Sequence, residues 1–315
     1  MILVTEMLAP PGPALLAESG WQVQSDPTLW NAPERLRVLL PDAQALIVRN
    51  QTRVTAKLLE SAPNLRVIGR LGVGLDNIDL AAARARGITV TAARNANAIA
   101  VAEYVLAAML HATRELATAD ASVRAGAWDR AHFGGTELWG RTLGLIGVGE
   151  IGRRVATRAA AFGMRVIGYD PLVGPYDFAP QEQDITLVPL DEVLTQADFL
   201  SLHVPLLPAT LHMLNAETLN KMQAHAVLIN TSRGGIIDES ALLAALTAGR
   251  PRLAILDVRE LEPPPADDPL LTCPSVLLTP HIAGLTAQAQ ERTSRLVVSD
   301  VLRVLAGEPA IGRIS

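Results

Sequence analysis

Residues 142–152 read TLGLIGVGEIG: an apolar run that turns through Gly147, Gly149 and Gly152 and continues into a segment of helical character. A Gly-x-Gly-x-x-Gly turn between a strand and a helix suits a dinucleotide. The first glycine permits a tight turn, the second lets a pyrophosphate approach the backbone, and the third lets helix and strand pack closely. Free N–H groups at the helix start, from Glu150 and Ile151 onward, then face the phosphates. The next apolar run, MRVIGYD over 164–170, ends in Asp170. It lies about 20 residues beyond the glycines, where a carboxylate receives the ribose hydroxyls. That carboxylate repels the 2′-phosphate of NADP, and DPLVGPYD (170–177) offers no Arg or Lys to offset it. The expected cofactor is NAD.

Outward from this turn, short β-branched runs alternate with longer Ala/Leu-rich segments, the pattern of an α/β protein on parallel strands. Upstream strands are expected at 1–5, 45–48, 65–69 and 88–91. Helices are expected at 55–61, with Thr55 as N-cap, and at 80–86, closed by Gly87. AVAEYVLAAMLHATRELATA contains no Gly or Pro, so a single helix is expected over 99–124. Downstream, a helix at 151–162 precedes strands at 199–203, 226–230, 254–257 and 276–279. These are near-continuous apolar runs, suited to a sheet covered by helices on both faces. A last helix is expected over 286–306.

The 315 residues are 49% hydrophobic and 19% charged, which suits two folded domains and not a disordered chain. A net charge of −5 argues against binding nucleic acid through a broad basic surface. The lone Cys273 excludes an internal disulfide and a cysteine-based zinc cluster, and no metal site is expected. The start, MILVTEMLAP, has no basic residue and is interrupted by Glu6, so it does not read as a secretory signal. No uninterrupted apolar run reaches the roughly 18 residues of a membrane span. A cytoplasmic protein without a membrane partner is expected.

Six histidines are candidates for moving a proton near neutral pH: His111, His132, His203, His212, His225 and His281. His281, in TPHIAG, follows a buried strand and precedes a small flexible loop. His203 also ends a strand, and by position the two are near-equal, because ligands of open parallel sheets bind beyond the strand ends. Thr231-Ser232-Arg233-Gly234-Gly235 follows another strand, where an Arg fork could meet a carboxylate or Arg233 could cap a helix. Asp257 ends a further strand and leads to Glu260 and Glu262. Glu262 either orients a histidine or is a solvated acid.

With these residues in hand, the chain resembles the D-isomer-specific 2-hydroxyacid dehydrogenase family. The matching stretches are RLGVGLDNIDL (70–80), LGLIGVGEIGRRVA (143–156), HVPLLPAT (203–210), NTSRGGIIDE (230–239), LDVRELEPPP (256–265) and TPHIAG (279–284). LIVRNQTRVTAKLL, WDRAHFGGTEL and FGMRVIGYDP resemble the catalytic part of that family's D-3-phosphoglycerate dehydrogenases. The resemblance implies hydride transfer between nicotinamide and C2 of a D-2-hydroxy acid. It implies that Arg233 anchors the substrate carboxylate and carbonyl, His281 exchanges the proton, and Glu262 supports His281. His203 becomes an adenine-pocket residue. Val204, Pro205, Thr210, Thr231, Ser232, Arg233, Asp257, His281, Ala283 and Gly284 join the glycine turn and Asp170 around NAD, with Asp257 on the nicotinamide carboxamide. Arg49, Asn97 and the backbone of Val73 and Gly74, with Arg233 and His281, hold the substrate. The implied fold is two Rossmann-like doubly wound parallel-sheet domains. A flavodoxin-like substrate domain (1–96 and 283–315) is interrupted by an NAD-binding Rossmann domain (97–282), with hinges near 95–97 and 282–284. A homodimer through the helix from Ile99 and the loop through Trp128 is also implied.

Asn50, where that enzyme has Ser, and NANAIA (95–100), where it carries Gly and Ser, depart from the pattern in the substrate pocket. No regulatory domain is expected within the 315 residues. The expected substrate is 3-phosphoglycerate with 3-phosphohydroxypyruvate; alternatives are hydroxypyruvate or glyoxylate reduction and another anionic C3 acid such as sulfolactate. Arg53 and Arg70, near Arg49, and Arg130 from a partner subunit would add to an anion pocket; the alternative, for Arg53 in particular, is a solvated or salt-bridged arginine. A different class, an NAD-sensing corepressor-like binding protein, is disfavoured by the full Arg233, Glu262 and His281 set.

Overall fold

The computed structural model describes residues 1–174, 177 and 182–314. Pro175 and Tyr176 of the DPLVGPYD stretch, and Ser315 at the end of the expected substrate domain, lie outside the described residues.

The first elements are β1 (Ile2–Val4), α1 (Gly12–Glu18), β2 (Val23–Ser25), α2 (Pro33–Leu39), β3 (Ala45–Val48), α3 (Ala56–Glu60), β4 (Val67–Arg70), α4 (Leu80–Ala85) and β5 (Thr89–Ala92). Next come α5 (Ala98–Thr113), α6 (Leu116–Arg124), β6 (Thr142–Ile146), α7 (Glu150–Ala161), β7 (Arg165–Tyr169) and β8 (Ile185–Leu187). They are followed by α8 (Leu190–Gln196), β9 (Phe199–Leu202), α9 (Ala216–Lys221) and β10 (Val227–Asn230). The series ends with α10 (Glu239–Thr247), β11 (Leu253–Leu256), β12 (Val276–Leu278) and α11 (Ala287–Leu305). They form two units: Met1–Asn97 with Leu285–Ser315, and Ala98–Gly284.

The first unit holds a five-stranded sheet in the order β2-β1-β3-β4-β5, all parallel. Successive side chains of a strand point to opposite faces, and here both faces are apolar. Leu3, Leu46, Ile68 and Val90 pack with Leu36, Leu58 and Ala83 of α2, α3 and α4. Ile2, Val4, Ala45, Ile47 and Val67 pack with Leu16 of α1 and Val297 and Val301 of α11. Thr55 caps α3 by accepting the Leu58 N–H at 3.2 Å. Asp300, buried on α11, accepts Thr91 Oγ1 at 2.5 Å and the N–H groups of Ile311 and Gly312 at 2.8 and 2.7 Å. It thereby ties the last residues of the chain to β5.

The second unit holds a seven-stranded parallel sheet in the order β12-β11-β10-β9-β6-β7-β8. Leu143, Leu145, Val166, Val227 and Ile255 face Val105, Met109 and Val155 of α5 and α7. Ile146, Leu200, Leu228 and Leu256 face Leu194, Leu219 and Leu242 of α8, α9 and α10.

The single helix expected over 99–124 is two. It breaks after Thr113 although neither Gly nor Pro is present. The Thr113 carbonyl accepts the Thr136 N–H at 3.1 Å and so leaves the helical ladder. The hydroxyl of Thr113 bonds back to Leu110 O at 3.0 Å, a local competition that Thr offers inside helices. The buried face of α5 ends there, and α6 buries none of its residues. Among the described residues no helix is long and apolar enough to cross a membrane, and no cluster of His, Cys, Asp or Glu could hold a metal ion.

Candidate active site

Because all strands of each sheet are parallel, their C-terminal ends share one edge, where ligands of such sheets bind. In the second unit this edge carries Gly147 after β6, Asp170 after β7, His203 after β9, Thr231–Arg233 after β10, Asp257 after β11 and His281 after β12. In the first unit it carries Arg49 after β3, Val73 and Gly74 after β4, and Asn97 after β5.

The glycine turn has the shape that its spacing predicts. Gly147 adopts φ +97°, and a Cβ there would lie 2.8 Å from the His203 carbonyl carbon. At Gly152 a Cβ would meet the Gly147 oxygen at 2.3 Å. Gly149, by contrast, has nothing within 4 Å of its Cβ position, and as N-cap of α7 it offers no side chain to occupy the first helical N–H groups. This is an open backbone cradle suited to a pyrophosphate. Asp170 accepts the N–H groups of Val148 at 2.9 Å and Leu172 at 3.0 Å, which fixes its carboxylate beside the turn. The Glu150 side chain pairs instead with Arg154 and Arg153, at 2.5 and 2.8 Å. Its contribution toward a phosphate is its N–H. Among the described residues the buried Thr231 hydroxyl oxygen has no hydrogen-bond partner, as expected of a group that meets a ligand.

The two strand-end histidines differ in environment. Burial pushes His203 down to about 3, which disfavours the protonated ring that a proton-exchanging group must form. One ring nitrogen bonds Ser201 Oγ at 3.0 Å, and the other is buried with no partner among the described residues. The turn after it is held by Thr210, whose hydroxyl donates to Pro205 O at 2.6 Å and accepts the Leu207 N–H at 2.8 Å.

His281 is partly exposed, and its Nδ1–H donates to Glu262 Oε2 at 2.8 Å. Among the described residues nothing hydrogen-bonds its Nε2, which is left for a substrate. Burial pushes Glu262 up, but the bond and charge of His281, the Arg259 N–H and the charge of Arg233 outweigh it and hold the carboxyl below its usual range. Glu262 is therefore an ionised partner and not an idle surface acid. His281 adopts φ +55°, a sparsely populated conformation for a residue other than glycine. Asp257 imposes it. Its backbone oxygen accepts the His281 N–H at 2.8 Å, Oδ1 accepts the Ile282 N–H and the Thr279 hydroxyl, and Oδ2 accepts the Ala283 N–H. Since Thr279 spends its proton on Asp257, the Tyr104 hydroxyl donates to Thr279 at 2.6 Å. Burial raises Asp257 above the usual carboxylate range, with these bonds opposing it.

Arg233 has extended backbone, and its side chain makes no helix-capping bond. Asn230 shapes this turn: its Oδ1 accepts the Ser232 N–H and hydroxyl, and its Nδ2 donates to Arg233 O.

In the first unit, buried Glu6 accepts the N–H groups of Arg49 at 2.8 Å, Thr52 at 2.9 Å and Gln51 at 3.1 Å. Asn77 Nδ2 donates to Arg49 O and Thr52 O at 2.9 and 2.7 Å. The loop carrying Arg49 is thus gripped through both its donors and its acceptors. Burial lowers Arg49, and the charge of Glu6 opposes that shift. No acceptor among the described residues takes the N–H of Val73 or Gly74, and Asn97 Oδ1 is buried without a partner.

Residues 106–283 match the family described as D-isomer specific 2-hydroxyacid dehydrogenase, NAD binding domain. The chain is 45% identical to the D-3-phosphoglycerate dehydrogenase of Methanocaldococcus jannaschii over 98% of its own length, and it spans 58% of that relative. It is 42% identical to the hydroxypyruvate reductase of Thermotoga maritima, over 86% of this chain and 88% of that one. Among solved structures, a protein of Thermus thermophilus superimposes with a TM-score of 0.90 at 36% identity, covering 100% of this chain and 99% of the other.

Proposed function

We propose an activity from one premise: the chain belongs to the D-isomer-specific 2-hydroxyacid dehydrogenase family and carries that family's NAD-binding domain. The protein is an NAD-dependent oxidoreductase that moves a hydride between nicotinamide and C2 of a D-2-hydroxy acid. One observation carries this reading: His281 keeps Nε2 open while its Nδ1–H is held by an ionised Glu262 under the charge of Arg233. Bound NAD supplies the hydride acceptor. In the oxidation direction His281 takes the hydroxyl proton on Nε2, and Glu262 stabilises the imidazolium so formed. Arg233 pairs with the substrate carboxylate and stabilises charge on the C2 oxygen. Arg49, Asn97 and the N–H groups of Val73 and Gly74 are assigned to the substrate's acid groups. Asp170 favours NAD over NADP.

The substrate reading is 3-phosphoglycerate with 3-phosphohydroxypyruvate, supported by the 45%-identical relative of that name. Hydroxypyruvate is the second reading, favoured by the hydroxypyruvate reductase that the chain matches over most of both lengths. A homodimer is part of the proposal, because α6 leaves Leu116 74% and Val123 49% exposed, with Trp128 beyond it at 77%.

The test is kcat/KM for 3-phosphohydroxypyruvate, hydroxypyruvate, glyoxylate and sulfopyruvate with NADH and NADPH, repeated with His281→Ala. The proposal expects a preference for the phosphorylated acid and for NADH. In His281→Ala, kcat falls about 10²–10⁴-fold while NADH affinity is kept. Near-wild-type turnover of His281→Ala would remove His281 from the mechanism. Tight NADH binding without turnover of any 2-oxo acid would favour a binding protein instead.

A further inference from the structure

Between Asp257 and Glu262 the chain leaves the sheet through Arg259, Glu260 and Leu261. The Arg259 side chain is buried (6% exposed) and forms a two-pronged bond to Glu239, Nε to Oε1 at 2.8 Å and Nη2 to Oε2 at 3.0 Å. Nη2 also donates to Asp268 Oδ2 at 2.6 Å. Glu239 (16% exposed) opens α10, and Asp268 (12% exposed) caps the short helical turn over Pro269–Thr272. Arg259 thus clamps its own loop to two neighbouring elements.

The backbone of Arg259 serves both reacting groups. Its N–H donates to Glu262 Oε1 at 3.1 Å, the oxygen not used by His281. Its carbonyl carbon lies where a Cβ on Gly234 would be only 1.9 Å away, and Glu260 N would be 2.2 Å away. The peptide between Arg259 and Glu260 therefore rests directly on the residue after Arg233. The Glu260 N–H is itself fixed by Glu239 Oε1 at 3.0 Å.

One buried cation facing two half-buried carboxylates is a poor device for stability, because desolvation offsets the Coulomb gain. What a planar, two-pronged fork adds is a fixed orientation. We propose that Arg259, through Glu239 and Asp268, is a positioning residue that sets Glu262 against His281 and the Arg233 turn in register with them. This rests on the reading of His281 as the proton-exchanging group.

The test compares wild type with Arg259→Lys, which keeps the charge and loses the fork. A second variant, Arg259→Met/Glu239→Gln/Asp268→Asn, leaves no unpaired buried charge and so guards against simple misfolding. Three quantities are read: kcat and KM over a pH series with NADH and the best 2-oxo acid, NADH affinity by fluorescence, and the Glu262 carboxyl titration by carbon NMR without substrate. Arg259→Lys is expected to lower kcat about 10–100-fold, the scale of a misplacement of roughly 1 Å, with NADH affinity within about twofold. Glu262 loses part of what holds its carboxyl down, so its titration and the acid limb of the kcat profile both move to higher pH. A folded triple variant with wild-type kcat and wild-type Glu262 titration would overturn the proposal. So would a fall in kcat with the Glu262 titration unmoved. If wild type turns over no 2-oxo acid, the dehydrogenase reading fails, while the Glu262 titration still tests the clamp by itself.

Discussion

At the scale of single residues, Glu6 shows how a side chain distant in sequence shapes a site. Its two carboxylate oxygens take three N–H groups from the loop of Arg49, Gln51 and Thr52. Bonds to a charged acceptor contribute about 1.5–3 kcal/mol each, and a buried donor left without a partner costs about 1–3 kcal/mol. Glu6→Gln turns an amide NH₂ toward one set of those donors. It is expected to lower stability by about 2 kcal/mol in urea titration and to raise KM for the acid substrate at least several-fold, with NADH affinity unchanged. An unaltered KM would remove Glu6 and the loop it holds from the proposed substrate contact. In the sequence Glu6 reads only as a break in an apolar start, because its partners lie more than forty residues away. Tyr104 is hidden in the same way, 175 residues from Thr279. Strand ends of a parallel sheet make Arg233 and His281 candidates from the sequence, while the roles proposed for them and for Glu262 rest on the family resemblance. The choice between His203 and His281 is not a matter of spacing at all. It turns on desolvation, which leaves His203 neutral.

At the scale of elements, the sequence is most legible where an apolar run is buried on both faces. Every strand expected after residue 44 lies within two residues of one observed. The three-residue edge strands β2 (VQS) and β8 (ITL) gave no such signal because polar residues interrupt them, whereas the equally short edge strand β12 (VLL) is apolar throughout. Propensity alone also missed the break between α5 and α6, because the cause is a loop returning to the Thr113 carbonyl and not a residue that resists helix. That break gives α6 a separate role. None of its residues is buried, and Leu116 and Val123 lie seven residues apart, on one helical face. If this face pairs with a second copy, Leu116→Glu/Val123→Glu converts the sedimenting species from dimer to monomer without lowering the melting temperature of the monomer. A variant that stays dimeric would move the contact elsewhere.

At the scale of the whole chain, the two sheets have separate cores, and each is closed by helices on both faces. Every residue assigned to NAD lies in Ala98–Gly284. A ligand stabilises only the state that binds it, by about 2.7 kcal/mol at one hundred times its dissociation constant. Amides that exchange through opening of the second unit should therefore slow about 100-fold when NADH is added at that excess. In hydrogen exchange this applies to Leu143–Ile146 of β6, to β9 and to β10. Core amides of β1, β3 and β4 lie in a unit with none of the assigned cofactor residues and keep their rates, because local opening free energies differ between cooperative units. Equal slowing in both sheets would show instead that the chain opens as one body. No slowing in β6, with NADH bound, would place the cofactor away from the glycine turn.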